Sequence, residues 1–184
     1  MLTANYVGDH TISIREADAA DPGPGEVQIA VAYTGLCGTD LHIVHGTMDA
    51  RVSTPLIFGH EMSGTIAAIG EGVADWTVGD AVTVMPLGWD GTCPACLAGN
   101  QHICQNLNFI GIDSPGSLQK LWNVSADVLV RLPEGLRLDH AAEDHLEEEH
   151  AESEDRERLH EPVHDQRDDE ALRSLADPAE RAEV

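Results

Sequence analysis

Basic residues are scarce in this 184-residue chain: ten Lys and Arg stand against 33 Asp and Glu, a net charge of −23. No basic stripe exists to neutralise phosphates, which argues against nucleic acid as a partner, and the same deficit argues against anionic membrane surfaces. Long apolar runs are lacking too. None approaches the ~18 residues that span a bilayer. The opening residues, MLTANYVGDH, have neither the basic nor the apolar region of a secretion signal. A cytoplasmic protein is expected, in a reducing compartment where clustered cysteines read as metal ligands rather than disulfides. Solubility, or a salt-adapted surface, is enough to explain the acidity.

Glycine, aromatic residues and cysteine are missing from the last quarter of the chain. All 17 glycines, the seven aromatics and the four cysteines precede residue 136. Residues 139–184 instead hold 18 acids against five arginines, with few large apolar residues and breaks at Pro162 and Pro178. Such a segment buries too little apolar area to offset the entropy of ordering it. The expected organisation is one domain over residues 1–138, then an acidic tail over residues 139–184, helical or disordered. Its histidines (His140, His145, His150, His160 and His164) could bind a divalent cation weakly, but a solvated tail indifferent to metal is the preferred reading.

The first 138 residues read as short strands punctuated by glycine and proline. Residues 27–33 (VQIAVAY) alternate as a half-buried strand entered through the turn DPGPG at 21–25. Further strands are expected at 65–69, at 81–84 after the Gly79-Asp80 turn, at 118–124, and at 128–132 before Pro133. Frequent turns between short strands predict a mainly β fold, a small barrel or sandwich. One helix is expected near Gly38, with Thr39 or Asp40 as its cap.

Two clusters carry chemistry. The first is CGTDLH at 37–42 with Gly59-His60-Glu61 downstream. A Cys thiolate and a His imidazole suit zinc, and a catalytic zinc needs three protein ligands and one open position. One Cys and one His alone are as well explained by a buried thiol and a satisfied core histidine. Their neighbours strengthen the metal reading: Asp40 could hold the second ring nitrogen of a ligating histidine. Thr39 and His42 could pass a proton from a zinc-bound alcohol to solvent. The second cluster is Cys93-x2-Cys96-x7-Cys104, a loop spacing that fits a closed, four-coordinate structural zinc. Three cysteines need a fourth ligand, and Asp90 and His102 are the candidates. A third motif, VADWTVGDAV at 73–82, has no catalytic group and reads as architecture.

These motifs, together with PLIFGHEMSG at 55–64 and VGDAV at 78–82, resemble the N-terminal half of the zinc-dependent medium-chain alcohol dehydrogenases. The polyol, sorbitol and threonine dehydrogenase branch is the nearest. The resemblance covers about residues 1–142, through four separated motifs in order. It implies a GroES-like, partly open β-barrel with a zinc-binding lobe, followed by a Rossmann domain that binds NAD(P). It implies catalytic zinc on Cys37 and His60, with Glu61 as an alternative or transient ligand, a relay through Thr39 and His42, and support from Asp40. It also implies structural zinc on the lobe, a small-molecule alcohol or polyol as substrate, and leaves self-association into a homo-oligomer open.

The chain departs from that family in two places. The first lobe position, usually cysteine, is Asp90. After Ala142 the family continues into a Glu-Pro segment and a Gly-x-Gly-x-x-Gly loop that lets the backbone approach a pyrophosphate. Here no glycine follows Gly135. The expectation is a catalytic-domain fragment without its dinucleotide domain, inactive by itself; Glu143 or His145 could stand in for the missing zinc ligand, but a tail that does not reach the metal is the preferred reading. The alternative is a non-catalytic zinc module or partner subunit. The abrupt change at Ala142 also suggests a rearranged or out-of-frame tail.

Overall fold

Strand β3 (Glu26–Gly35) organises the larger sheet, because Val27 and Ile29 alternate with polar neighbours and are completely buried. It lies between β5 (Glu61–Ile69) and β9 (Leu121–Ser125), with Ile29 opposite Ile66 on one side and Trp122 on the other. With β6 (Ala81–Val84) and β10 (Leu129–Arg131) the sheet has the order β10-β6-β5-β3-β9, every pairing antiparallel. The computed structural model describes residues 1–142. Of the expected acidic tail only residues 139–142 are described, in and just after the last helix, with Ala142 buried; the rest of the tail, most of its histidines, and the stand-in ligands Glu143 and His145 lie outside the described residues.

A smaller sheet, β2-β1-β4, comes from β1 (Leu2–Tyr6), β2 (Ile12–Glu16) and β4 (Leu56–Ile57). The β1–β2 hairpin turns through Asp9 and His10, both at positive φ, the backbone twist that tight hairpins require. A two-stranded ribbon, β7 (Leu87–Gly88) and β8 (Asn108–Phe109), brackets the cysteine loop. Three short helices complete the described residues: α1 (Gly38–Val44), α2 (Pro94–Leu97) and α3 (Leu138–Ala141). The fold is mainly β, as the sequence predicts.

The buried side chains form two main cores. Val27, Ile29, Met62, Ile66, Val82 and Trp122 belong to the first, and Tyr6, Ile43, Val52, Leu56, Phe58 and Ile112 to the second. Each fully buried large side chain contributes roughly 1.5–3 kcal/mol. Phe58 faces one core and Met62 the other, so the segment between them, Gly59-His60-Glu61, is held from both sides. The 73–82 motif is architectural. Asp80 accepts the Thr77 N–H and pairs with Arg131 at 2.8 Å, and the Arg131 guanidinium lies 4.6 Å over the Trp76 ring.

Several boundaries differ from the sequence-based expectations. Residues 65–69 are only the second half of β5, which begins at Glu61. The strand expected at 118–124 begins only at Leu121, and just before it the N–H groups of Gly116, Ser117 and Leu118 bond to the carbonyls of Ile57, Gly59 and Phe58, buttressing the GHE segment. Residues 126–128 form a 3₁₀ turn before β10. The cap of α1 is Cys37 rather than Thr39 or Asp40, because Asp40 sits at the third helical position and reaches back to the Cys37 N–H.

Candidate metal centres

Cys37 and His60 meet through the geometry of α1 and β5. As the cap residue of α1, Cys37 is extended (φ −96°, ψ 177°), and its side chain closes a capping box with Asp40 at the start of the helix. Its Sγ lies 3.1 Å from His60 Nε2. Glu61 joins them: one ligating atom from each of the three residues lies within 4.8 Å of the others. His60 is 6% exposed and Asp40 1%.

Behind the imidazole, Asp40 Oδ1 stands 3.7 Å from His60 Nδ1. That is an electrostatic contact but too long for a hydrogen bond, and both atoms are buried without a hydrogen-bond partner among the described residues. Orphaned buried polar atoms are costly. A cation on Nε2 would leave the ring proton on Nδ1, facing Asp40, the arrangement by which a carboxylate orients a ligating histidine. The donor set therefore fits zinc: a soft thiolate, an imidazole whose Nε2 faces that thiolate, and a carboxylate behind the ring.

Two further contacts fix His60, and neither has a signature in the sequence. The Phe109 ring meets the imidazole edge-on, with centroids 5.3 Å apart. A Cβ on Gly116 would stand 2.1 Å from the Gly59 carbonyl oxygen, and one on Gly111 only 2.5 Å from the same oxygen. These positions must be glycine for the 111–116 turn to close on the GHE segment. Thr39 and His42 lie on α1, three residues apart and so on one face; Thr39 is half-buried and His42 exposed.

In the second centre, ligating atoms of Asp90, Cys93, Cys96 and Cys104 all lie within 4.8 Å of one another. The three cysteines are buried and pack against Trp89, Ala95 and Leu107. Cys93 Sγ and Cys104 Sγ are 3.9 Å apart, close to the roughly 3.8 Å edge of a tetrahedron with ~2.3 Å zinc–sulfur bonds. Backbone N–H groups of Gln105 and Cys96 lower the Cys93 thiol to about 7, whereas burial and the neighbouring thiols push Cys96 up to about 12. A cation between them would favour the thiolate form of both Cys93 and Cys96.

Asp90 sits where a fourth ligand is needed. The Thr92 and Cys93 N–H groups, then the Asn106 side chain, hold its carboxyl well below the usual range, so it is anionic whenever the thiolates are. His102 is excluded from this group. It is exposed and lines a separate cavity of about 320 Å³ with Met85, Leu87, Trp89 and Gln101. The cause is local: residues 101–103 form a 3₁₀ turn that carries His102 outward, while Asp90 is drawn in by three hydrogen bonds.

Comparison with known proteins bears on both centres. Residues 23–134 match the alcohol dehydrogenase GroES-like domain. Over 142 residues the chain is 52% identical to a 2-dehydro-3-deoxy-L-galactonate 5-dehydrogenase of Pseudoalteromonas atlantica, covering 77% of this chain and 42% of the relative. It is 39% identical over 128 residues to an L-threonine 3-dehydrogenase of Pyrococcus horikoshii, covering 68% and 37%. Among solved structures, galactitol-1-phosphate dehydrogenase from Escherichia coli superposes with a TM-score of 0.72 at 31% identity, covering 77% of this chain and 41% of that one. The chain spans about two fifths of the length of the relatives it matches.

Proposed function

Because the chain belongs to the alcohol dehydrogenase GroES-like domain family, we propose that residues 1–142 are the metal-holding half of a zinc-dependent dehydrogenase acting on an alcohol or polyol with NAD(P). The observation that carries this reading is the 3.1 Å approach of Cys37 Sγ to His60 Nε2 with the unpartnered Asp40–His60 pair behind it. Zinc bound there would polarise an alcohol or carbonyl oxygen, and the nicotinamide would exchange hydride with the adjoining carbon. Cys37 and His60 hold the metal, and Glu61 is the third donor within reach. Asp40 keeps the proton on His60 Nδ1 and fixes the tautomer. Thr39, half-buried, and His42, exposed on the same face of α1, carry the alcohol proton outward. Asp90, Cys93, Cys96 and Cys104 hold a structural zinc that pins the lobe.

The substrate class follows the relatives, which include dehydrogenases of a deoxy sugar acid and of threonine. A polyhydroxy compound with a secondary alcohol is the proposed substrate. The reading of residues 139–184 as an acidic tail rests on their composition, although its first four residues pack with the domain through α3 and the buried Ala142, and a cytoplasmic location rests on the four free cysteines. Among the described residues no helix is long and apolar enough to cross a membrane.

A polypeptide of these 184 residues alone offers no glycine-rich loop after Gly135. Without that loop it lacks the family's means of holding the nicotinamide against the alcohol, and the benefit of orientation is lost. We therefore expect this polypeptide to bind zinc at both centres and to turn over alcohols with NAD(P) little or not at all. The same observation supports a second reading, a zinc-binding partner subunit without catalysis of its own. Elemental analysis and a nicotinamide absorbance assay on the purified chain test the proposal. Two zinc per chain with negligible turnover is expected; zinc at neither centre would overturn the metal reading, and sustained turnover would overturn the expected inactivity.

A further inference from the structure

Asn106 reaches both ends of the cysteine loop. Its side-chain amide donates to Asp90 Oδ2 at 2.6 Å, and its backbone N–H donates to Cys104 Sγ at 3.3 Å. The other carboxylate oxygen of Asp90, Oδ1, accepts the N–H groups of Thr92 and Cys93 at 2.8 and 3.0 Å. Both oxygens are thus braced from opposite directions. Each carboxylate oxygen can accept two bonds, so Oδ2 keeps acceptor capacity after the amide is satisfied.

We propose that Asn106 is the positioning residue that makes Asp90 a workable fourth ligand in a cluster otherwise made of thiolates. A thiolate grips zinc strongly through one soft atom and needs little steering. A carboxylate is a harder donor with strong affinity for water, and Asp90 is only partly buried. Left to itself its group would rotate outward to be hydrated. The backbone donors fix Oδ1 alone and leave a hinge about it; the amide of Asn106 removes that freedom. Because the same residue bonds Cys104 Sγ through its backbone, it reinforces the 3.5 Å contact of the Asp90 N–H with that sulfur and ties the Asp90 carboxylate, as well as its backbone, to Cys104, 14 residues away in the chain. The inference rests on the reading of this lobe as a zinc site.

The test uses the full 184-residue chain in a Cys37→Ser background, so that only the lobe reports. Zinc affinity by chelator competition and the absorption spectrum of the Co²⁺-loaded chain are measured for Asn106→Ala, Asp90→Ala, the double variant, and Asp90→Cys with and without Asn106→Ala. Asn106→Ala is expected to weaken zinc binding about 10- to 100-fold and to move the Co²⁺ ligand-field bands to those of Asp90→Ala. It should cost nothing further once Asp90 is Ala or Cys, a non-additivity that general damage to the loop would not produce. An equal loss in the Asp90→Cys background, or no loss in the parent, would overturn the inference while leaving the zinc reading intact. A parent chain that binds no metal at the lobe would overturn both.

Discussion

His60 Nε2 looks toward Cys37 Sγ across 3.1 Å, while its other ring nitrogen looks toward Asp40 across 3.7 Å. One imidazole therefore joins the cap residue of α1 to the third residue of the same helix. The helix start and the metal pair are a single construction, and substitutions there should separate metal binding from folding.

Cys37→Ser should remove one zinc per chain and leave the far-ultraviolet circular dichroism unchanged, because Asp40 still accepts the Cys37 N–H and a serine hydroxyl can take the thiol's place in the capping box. Cys93→Ser should remove the other zinc and loosen the loop around α2. Elemental analysis of both variants checks the assignment, and loss of both metals from either one would count against two independent centres.

Asp40→Asn keeps an oxygen for the Cys37 N–H but withdraws the charge that faces His60 Nδ1. Zinc affinity at Cys37 and His60 should fall by about 10- to 100-fold, with the lobe unaffected. Chelator competition on the Cys93→Ser background reads this site alone; an unchanged affinity would remove Asp40 from its supporting role.

Trp122 is 3% exposed, stands opposite Ile29 and donates its indole N–H to the Pro115 carbonyl at 3.2 Å. Trp122→Ala should cost about 3–5 kcal/mol of stability, measured as a lowered urea midpoint. A cost below about 1 kcal/mol would mean that the larger core closes over the missing ring.

The acid limb of stability should depend on Asp113 and Asp80. The Arg51 side chain lowers the Asp113 carboxyl below its ordinary 3.8, and the Thr77 N–H, then Arg131, lower that of Asp80. Between the folded and unfolded values the unfolded chain binds more protons. The stabilisation is therefore complete above about pH 4 and is lost as pH falls through the depressed folded values. Urea midpoints of the metal-free chain between pH 2 and 5 should fall less steeply for Asp113→Asn and Asp80→Asn than for the parent.

The sequence displayed the parts of this molecule whose signal is local. Alternation marked β3, and the turn residues around Gly79 marked β6. The β1–β2 hairpin is hidden because polarity does not follow burial there: Thr3 and Asn5 of β1 face inward, whereas Ile12 and Ile14 of β2 are exposed. The two-residue strands β4, β7 and β8 are too short to show any period. At the metal centres, Cys37 and His60 were legible through their neighbours, but spacing could not choose between Asp90 and His102. That choice rests on the 3₁₀ turn at 101–103 and on backbone donors, which have no residue signature. Phe109 was missed for a related reason: an edge contact made from far along the chain leaves no pattern in either segment.

The contact of Gly116 with the Gly59 carbonyl joins main chain to main chain. Most packing in a protein can be retuned, since a crowded side chain can change rotamer or be exchanged for a smaller one. Here there is no side chain to exchange and no rotamer to choose. The placement of His60 is consequently brittle to substitution at the glycines yet indifferent to most changes around them. A lineage that lost one of these glycines could recover the geometry only by altering the length of the 111–116 turn. Insertions and deletions, rather than point changes, are the currency in which this part of the molecule can vary.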